Sequence, residues 1–186
     1  MKRIFDLLVG ILLLGFLAIP MILIGILVLM TSKGPSIYWS DRIGKGNSIF
    51  KMPKFRSMHT NTPDIPSHLL NDPSLHLTPI GGFLRSTSLD ELPQLFSILK
   101  GDMSLVGPRP ALFNQDDLIL LRTEKGVSKL LPGITGWAQI NGRDHLSIKE
   151  KVKFDEEYLQ KKSFWFDLYI LFKTAIRVKS SDGISH

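Results

Sequence analysis

The sequence predicts a helix-dominated α+β fold in which an N-terminal membrane element, residues 1–33, precedes one small domain, residues 34–186. Three observations lead to this fold class. An uncharged apolar block runs from Leu7 to Met30. The remaining chain contains several stretches with helical periodicity and only two short stretches typical of strands. The total of 186 residues is enough for one domain with its own core and one appended segment.

The apolar block is long enough for a membrane, since a continuous helix would measure about 36 Å against a hydrocarbon core of about 30 Å. It is too long for the apolar part of a signal peptide, and no small-residue cleavage site follows it. Lys2 and Arg3 precede it and Lys33 follows it, so the positive-inside rule draws both ends to the cytoplasm. Pro20 predicts a kink near the middle. We expect a re-entrant helix hairpin, with a bent spanning helix as the alternative.

The elements of the domain follow from turn signals and periodicity. Short extended pieces are expected at residues 37–39 and 49–52, around a turn from Gly44 to Asn47. The prolines of residues 61–79 predict irregular structure. Helices are expected over residues 89–99, 111–131 with an interruption near Gly126, 148–160 and 164–178.

The last of these helices has the aromatic-rich sequence FWFDLYILFKTAIRV. Such a helix either covers a core or lies at the headgroup level of a membrane, and the pattern leaves both alternatives open. If the helix is interfacial, it also offers a surface through which two copies could form a homodimer.

Charge and composition limit the partners. The net charge of +6 and the pI of 9.6 indicate anionic partners: nucleic acid, phospholipid headgroups or phosphorylated substrates. No motif of the recognised nucleic-acid-binding modules is present, so we expect no nucleic-acid partner. The absence of cysteine excludes disulfides and thiolate metal sites, and the five histidines lack zinc-site spacing.

The main candidate for chemistry is Asp90-Glu91, in the string RSTSLDELPQL. Ser88 and Glu91 have the spacing of a capping box, which predicts that a helix begins here. Acids in a first helical turn usually serve only the helix dipole. In the functional alternative, a phosphate held at the helix N-terminus and by Arg85 would meet the Asp90 carboxylate, which can act as a nucleophile on phosphorus.

Two Gly- and Pro-rich loops follow. In GDMSLVGPRP the prolines on both sides of Arg109 fix its backbone, which suits a phosphate ligand as well as an exposed Arg in a rigid turn. In PGITGWAQINGR the glycines, Gly136 among them, permit close approach of a ligand, and the tryptophan offers a stacking face. If this piece is extended, Gln139, Asn141 and Arg143 share one side of it, as they also would in a plain amphipathic strand.

Two other groups of polar residues could have either a functional role or an ordinary surface or structural role. The basic run KMPKFRSM contains Lys54 and Arg56, and it is either a headgroup-facing stretch or a direct substrate contact. Asp155 and Tyr158 lie one turn apart on a predicted helix, where acids are usually structural.

Taken together, these strings resemble the bacterial sugar transferase family, the monotopic phosphoglycosyl transferases. The apolar N-terminal element is followed in the family's order by KxPKFRSM, RSTSLDELPQL, GDMSLVGPRP and PGITGWAQINGR. The resemblance implies a bacterial inner-membrane enzyme with its catalytic domain on the cytoplasmic face. Such an enzyme transfers a phosphosugar from a UDP-sugar to a polyprenyl phosphate and releases UMP through a covalent intermediate on the aspartate matching Asp90.

The resemblance also implies Mg²⁺ beside Asp90 and Glu91, with Glu91 as acid-base or positioning partner. A divalent ion there would offset phosphate charge as the carboxylate approaches. The expected substrate-binding residues are Arg85, Arg109, Lys54, Arg56, Gly136, Gln139, Asn141, Arg143 and Asp155. The alternative function is a membrane-anchored binding or scaffold protein of the same fold without turnover.

The chain departs from the family pattern in two places. Ile19-Pro20 stands where relatives have Ser-Pro at the hairpin break, and Pro53 interrupts the basic motif, where it should disturb a regular strand. Extra membrane helices of longer relatives are absent, so we expect the minimal catalytic unit of the family.

Overall fold

The computed structural model of the protein describes residues 1–63, 72–142 and 145–180. It confirms a helix-dominated α+β fold. In chain order its regular elements are α1 (Lys2–Thr31), β1 (Ile37–Ile43), β2 (Ile49–Phe55), α2 (Gly81–Ser86), α3 (Gln94–Lys100), β3 (Ser104–Val106), α4 (Asp116–Glu124), β4 (Gly133–Thr135), α5 (Trp137–Ile140), α6 (Ile148–Lys161) and α7 (Phe164–Ser180). Short 3₁₀ turns add Lys45–Asn47, Pro73–His76, Leu89–Glu91 and Val127–Lys129.

Helix α1 is long and apolar enough to cross a membrane, with a mean hydropathy of 3.0 in its most apolar window and only 17% of that window buried. A core helix would be mostly buried, so this low burial argues against one. The helix is continuous through Pro20, and thus the structure has one helix where the sequence predicts two arms of a hairpin. Its path relative to a bilayer stays a prediction.

The N-terminal end of α1 is fixed to the domain by polar contacts. The Arg3 guanidinium donates to the carbonyl of Ile98 at 2.6 Å, in the last turn of α3. The Lys2 ammonium forms an ion pair with Asp167 of α7. The basic residues that the sequence predicted at the cytoplasmic end of the apolar block therefore bind the protein itself.

The C-terminal end of α1 is fixed to the same domain. The Arg56 guanidinium donates to the carbonyl oxygens of Lys33 at 2.6 Å and Ser32 at 3.0 Å, which places a cation on the open carbonyls that follow a helix. Between its two ends, α1 packs with one face against the domain. Its buried side chains form a cluster with residues of β2 and α2: Met21, Ile24, Val28, Phe55 and Leu84.

Strands β1 and β2 form an antiparallel ribbon in register from the Ile37–Phe55 pair to the Ile43–Ile49 pair. The strands are longer than predicted, and Pro53 lies inside β2 opposite Trp39, so the expected disturbance does not occur. In a two-stranded ribbon each strand has an unpaired edge, which is where a proline without an N–H is tolerated. The ribbon is thus regular up to the basic residues at its end.

Strands β3 and β4 pair in parallel and join the two Gly- and Pro-rich motifs. A Cβ atom on Gly133 would lie 2.1 Å from the backbone nitrogen of Gly107, and one on Gly136 would lie 2.1 Å from the carbonyl oxygen of Gly107. No side chain fits at such distances. These glycines permit close packing of backbone on backbone, whereas the sequence predicted close approach of a ligand.

A second core cluster lies between the ribbon, β3, α3 and the C-terminal helices. It consists of Phe50, Met52, Leu95, Ile98, Met103, Leu105, Val106, Tyr158 and Ile170. Helix α7 has two different faces, since Asp167 and Ile170 are buried while Trp165 and Phe172 are exposed. It therefore covers the core and also presents an aromatic surface.

Candidate active site

Asp90 and Glu91 lie in a single 3₁₀ turn, Leu89–Glu91, rather than in the first turn of a long helix. Ser88 has a left-handed backbone with φ of 56° and its side chain caps nothing, so the predicted capping box is wrong. Helix α3 begins only after Pro93. A capping box does occur at the start of α6, between Ser147 and Glu150. Because the site turn is short, side-chain cations rather than a helix dipole must supply positive charge here.

The Asp90 carboxylate is 7% exposed, and its nearest charged partner is the Lys54 ammonium at 3.9 Å. Within the described part of the chain it accepts no hydrogen bond. Burial raises the pKa of Asp90 above its ordinary value and the Glu91 charge adds to this, against the opposing charges of Lys54, Arg85 and Arg109. Asp90 is therefore a largely buried carboxylate with three cations close enough to lower its pKa, and no donor among residues 1–63, 72–142 and 145–180 binds it.

Glu91 is bound by two cations. Its Oε1 accepts from the Lys54 ammonium at 2.8 Å and from the Arg109 guanidinium at 3.0 Å. Lys54 comes from the end of β2 and Arg109 from the loop after β3, so the pair joins two regions that are distant in sequence. The structure thus brings together four predicted site residues: Lys54, Asp90, Glu91 and Arg109.

Arg85 is near this group, since its charge lowers the pKa of Asp90. It lies in the last turn of α2, and its guanidinium also contacts the Met58 sulfur at 3.4 Å. With Lys54 and Arg109 it makes three cations from three elements around two adjacent carboxylates. Such a group can bind a diphosphate next to a carboxylate that would otherwise repel it.

Two predicted substrate ligands lie elsewhere. Arg56 is buried and holds the end of α1. It follows Phe55, the last residue of β2, so the alternation of the strand no longer sets the direction of its side chain. Asp155 is 1% exposed and binds the Arg122 guanidinium through one oxygen at 2.6 and 2.9 Å. The structure does not bring either side chain into the carboxylate group.

The predicted pocket segment is a short helix and not a strand. The Gln139 amide donates to the carbonyl of Ile134 at 3.2 Å, and the Asn141 amide donates to the carbonyl of Trp137 at 2.7 Å. Gln139 and Asn141 therefore do not share one side of an extended strand, contrary to the sequence prediction. Arg143 lies outside the described residues.

The Trp137 side chain is surrounded by residues of the last two helices. Its indole donates to Glu157 at 3.0 Å, and its ring lies 5.1 Å from that of Phe166 and 6.3 Å from that of Tyr169. These contacts tie α5 to α6 and α7. The predicted stacking face for a base is used inside the protein instead.

The two carboxylates fit a magnesium ion. Among the described residues no group of three or more His, Cys, Asp or Glu side chains could hold a metal. Mg²⁺ in phosphoryl-transfer sites, however, commonly binds through one or two carboxylates, with substrate phosphates and water as its other ligands. Adjacent carboxylates at Asp90 and Glu91 supply that donor set.

A comparison with protein families finds a match over nearly the whole chain. The model of the family described as bacterial sugar transferase matches residues 1–181. The chain belongs to this family. The match extends from α1 to the end of α7, and so it includes every element that contributes to the carboxylate group.

Curated relatives of this bacterial sugar transferase include the sugar transferase EpsL of Bacillus subtilis, 43% identical over 99% of this chain and 90% of the relative. The undecaprenyl-phosphate galactose phosphotransferase of Salmonella typhimurium is 38% identical over 98% of this chain and 41% of its own. The UDP-glucose:undecaprenyl-phosphate glucose-1-phosphate transferase of Escherichia coli is 40% identical over 95% of this chain and 40% of the relative. The chain spans about two fifths of the length of several curated relatives that it matches.

Proposed function

We propose that the protein transfers a phosphosugar from a UDP-sugar to a membrane polyprenyl phosphate such as undecaprenyl phosphate, and releases UMP. Relatives in Salmonella typhimurium and Escherichia coli are named for this type of reaction. The site supports it through a buried carboxylate next to cations that suit a diphosphate.

Asp90 is the proposed nucleophile. An Asp90 oxygen attacks the β-phosphorus, and the bond from that phosphorus to the bridging oxygen breaks, so that UMP leaves with the electron pair. The product is an acyl phosphate that carries the sugar. In the second step an oxygen of the polyprenyl phosphate attacks the same phosphorus, and the Asp90 carboxylate is released. The observation that carries this role is the absence of any hydrogen bond to Asp90 within the described residues, although the carboxylate is buried.

The neighbouring residues have supporting roles in this proposal. Lys54, Arg85 and Arg109 offset the phosphate charge as it approaches the carboxylates, and Glu91 positions Lys54 and Arg109. Asp90 and Glu91 would hold Mg²⁺, which when bound offsets charge on the diphosphate.

The segment from Gly136 to Asn141 is our proposed contact for the nucleotide sugar. It follows β4 directly, and Gly136 packs on Gly107, immediately before the loop that carries Arg109. The donor would therefore extend from the carboxylate group toward α5.

The membrane acceptor requires a site at the bilayer surface, and we propose that α1 enters and leaves the membrane by its cytoplasmic face. Both ends of α1 bind the same domain, through Arg3 at one end and Arg56 at the other. A helix whose two ends are held on one small domain cannot place them on opposite sides of a bilayer. The positive-inside rule assigns that side to the cytoplasm.

Release of UMP tests the proposed reaction. Purified protein in detergent is incubated with Mg²⁺, undecaprenyl phosphate and each of several UDP-sugars. Wild type should release UMP with at least one donor, and EDTA should stop the release. Asp90→Asn should abolish it, whereas Asp41→Asn, which alters an exposed carboxylate paired with Lys51, should not. Full activity of Asp90→Asn would contradict the mechanism.

The covalent step has its own test. Incubation with UDP-sugar but without polyprenyl phosphate, followed by acid quench and mass spectrometry, should give the mass of a phosphosugar on the peptide that contains Asp90. Binding of donor without UMP and without this adduct would favour the scaffold alternative.

The path of α1 can be tested with single cysteines, because the chain has none of its own. Ile4→Cys and Lys33→Cys mark its ends, and Phe16→Cys marks its exposed middle. In inverted membrane vesicles an impermeant maleimide should label both ends and spare the middle. Labelling of only one end would contradict a re-entrant path.

A further inference from the structure

The loop that carries Arg109 has no regular structure, and neighbouring elements hold its carbonyl groups in turn. The carbonyl of Pro108 accepts from the Gly133 N–H at 2.9 Å, and that of Ala111 from the Ile43 N–H at 2.9 Å. The carbonyl of Arg109 itself accepts at 2.8 Å from the guanidinium of Arg122, in α4. A side chain therefore holds the backbone of the residue whose own guanidinium binds Glu91.

Asp155 fixes Arg122 in turn. One carboxylate oxygen of Asp155 accepts from Nε and Nη2 of Arg122 at 2.9 and 2.6 Å, which leaves Nη1 for the loop carbonyl. Both side chains are nearly buried, with exposures of 11% and 1%. The planar guanidinium has a single orientation that satisfies both partners.

A buried ion pair is weak evidence for fold stability, because both charges lose their hydration when the pair forms. Burial raises the pKa of Asp155, against the lowering effect of Arg122. Apolar residues of similar volume commonly replace such pairs without loss of stability. A pair of this kind is better explained by the geometry that it imposes.

A cleft that is open to solvent lies beside the loop, lined by Arg109, Arg122, Pro108, Pro110, Asn47 and Ser128. Arg109 and Arg122 both border this cleft, and the hydrogen bond from the Arg122 guanidinium to the Arg109 carbonyl joins its two sides.

We propose that Arg122, held by Asp155, is a positioning residue that fixes the Arg109 backbone and so aims the Arg109 guanidinium at Glu91 and the donor diphosphate. Asp155 then acts on the substrate only through Arg122 and Arg109, and it does not bind the substrate itself. The proposal rests on the proposed function, since its main readout is the transfer reaction.

The deciding variant is Arg122→Met with Asp155→Leu, which removes both charges and leaves neither unpaired. We expect a thermal midpoint near that of wild type and a kcat/KM for UMP release about 10- to 100-fold lower, mainly through kcat, because a charge aimed wrongly loses its effect in the transition state. The matched control is Lys125→Met with Glu156→Leu. It removes an exposed pair at 3.3 Å that joins the same two helices and does not touch the loop, and it should leave kcat/KM unchanged.

A double-mutant cycle separates positioning from a general structural effect. In an Arg109→Ala background, the Arg122→Met/Asp155→Leu change should lower kcat/KM no further, within about twofold, because there is no guanidinium left to aim. A loss of equal size in both backgrounds would overturn the proposal, as would wild-type kcat/KM in a folded Arg122→Met/Asp155→Leu variant.

Failure of the two proposals is distinguishable. If wild type releases no UMP with any donor, the proposed function fails. Positioning is then measured by the affinity for UDP by calorimetry, where Arg109→Ala and the Arg122→Met/Asp155→Leu change should each weaken binding without adding to one another. Additive or absent effects there overturn the positioning role.

Discussion

Two of the regions that bury carboxylates in this molecule give them opposite environments. At the joint between α1 and the domain, Asp6 accepts from the Ser104 hydroxyl at 2.8 Å and the Leu105 N–H at 3.3 Å. Asp167 at the same joint accepts from the Tyr158 hydroxyl at 2.7 Å and pairs with Lys2. Asp90, in the site, is similarly buried and accepts no hydrogen bond within the described residues.

The difference separates stability from reactivity. A buried carboxylate with donors is satisfied and holds elements together. One without donors keeps its electron pairs available and leaves the fold less stable when it is ionised. The joint is therefore built to hold α1, and the site is built to react.

The largest expected effect comes from Asp90→Asn. It should lower UMP release at least about 10³-fold, because an amide is a poor nucleophile toward phosphorus. The same change should raise the thermal midpoint at neutral pH. The raised pKa of Asp90 means that protonation stabilises the fold, and that this stability is lost as pH rises through the folded-state pKa. Asparagine has no charge to bury.

The contrasting variant is Asp167→Asn at the joint, which leaves Lys2 without its ion-pair partner. It should lower the stability by about 1–3 kcal/mol, measured by thermal or chemical unfolding in the same detergent. If both variants lower the thermal midpoint equally, the distinction between the two regions is wrong.

The next effect in size concerns two lysines of the same ribbon. Lys54→Met should lower kcat/KM about 10- to 100-fold, because Lys54 is the cation nearest to both site carboxylates. Lys51→Met removes an exposed lysine paired with Asp41 and should have little effect on UMP release. Equal losses would mean that the general charge of the ribbon matters and not the position of Lys54.

At the joint, Asp6→Ala should lower stability by about 2–3 kcal/mol, because it leaves the buried Ser104 hydroxyl and Leu105 N–H without their acceptor. Urea unfolding of the full chain measures the loss. Ser104→Ala is the control, since it removes a donor and leaves Asp6 one partner. A stable Asp6→Ala protein would show that these bonds contribute little to holding α1.

The smallest effect is a shift in pH dependence. Because Asp90 must be ionised to attack, kcat/KM should fall as pH decreases through its pKa, which lies above the ordinary value of 3.8. Lys54→Met should move this acid limb to higher pH, since the Lys54 charge lowers the pKa, and Glu91→Gln should move it lower. If neither variant moves the acid limb of the kcat/KM profile, the limb reflects the titration of a group other than Asp90.

The sequence predicted the helices and strands better than the local backbone geometry. Turn and periodicity signals located the ribbon, α3, α6 and α7, because these depend on neighbouring residues. The capping box at Ser88 failed because its left-handed backbone turns the chain into a single 3₁₀ turn, which tertiary packing decides. The close packing of Gly136 on Gly107 was not predicted, since it depends on the pairing of β3 with β4.

The same contrast between local sequence signals and tertiary packing applies to the site residues. The motifs indicated Lys54, Asp90, Glu91 and Arg109, and the structure brings them together. Arg122 escaped notice, since a single arginine in a predicted helix carries no signal of its own. Its importance appears only when α4 is seen to lie against the loop after β3.

Helix α1 supplies Met21, Ile24 and Val28 to one core cluster, and the Asp6 carboxylate to the interior beside β3. Deleting it would uncover apolar side chains of the ribbon and leave Ser104 without an acceptor, so a water-soluble fragment that begins after Lys33 should aggregate rather than fold. The interior is complete only when the domain has closed onto this helix.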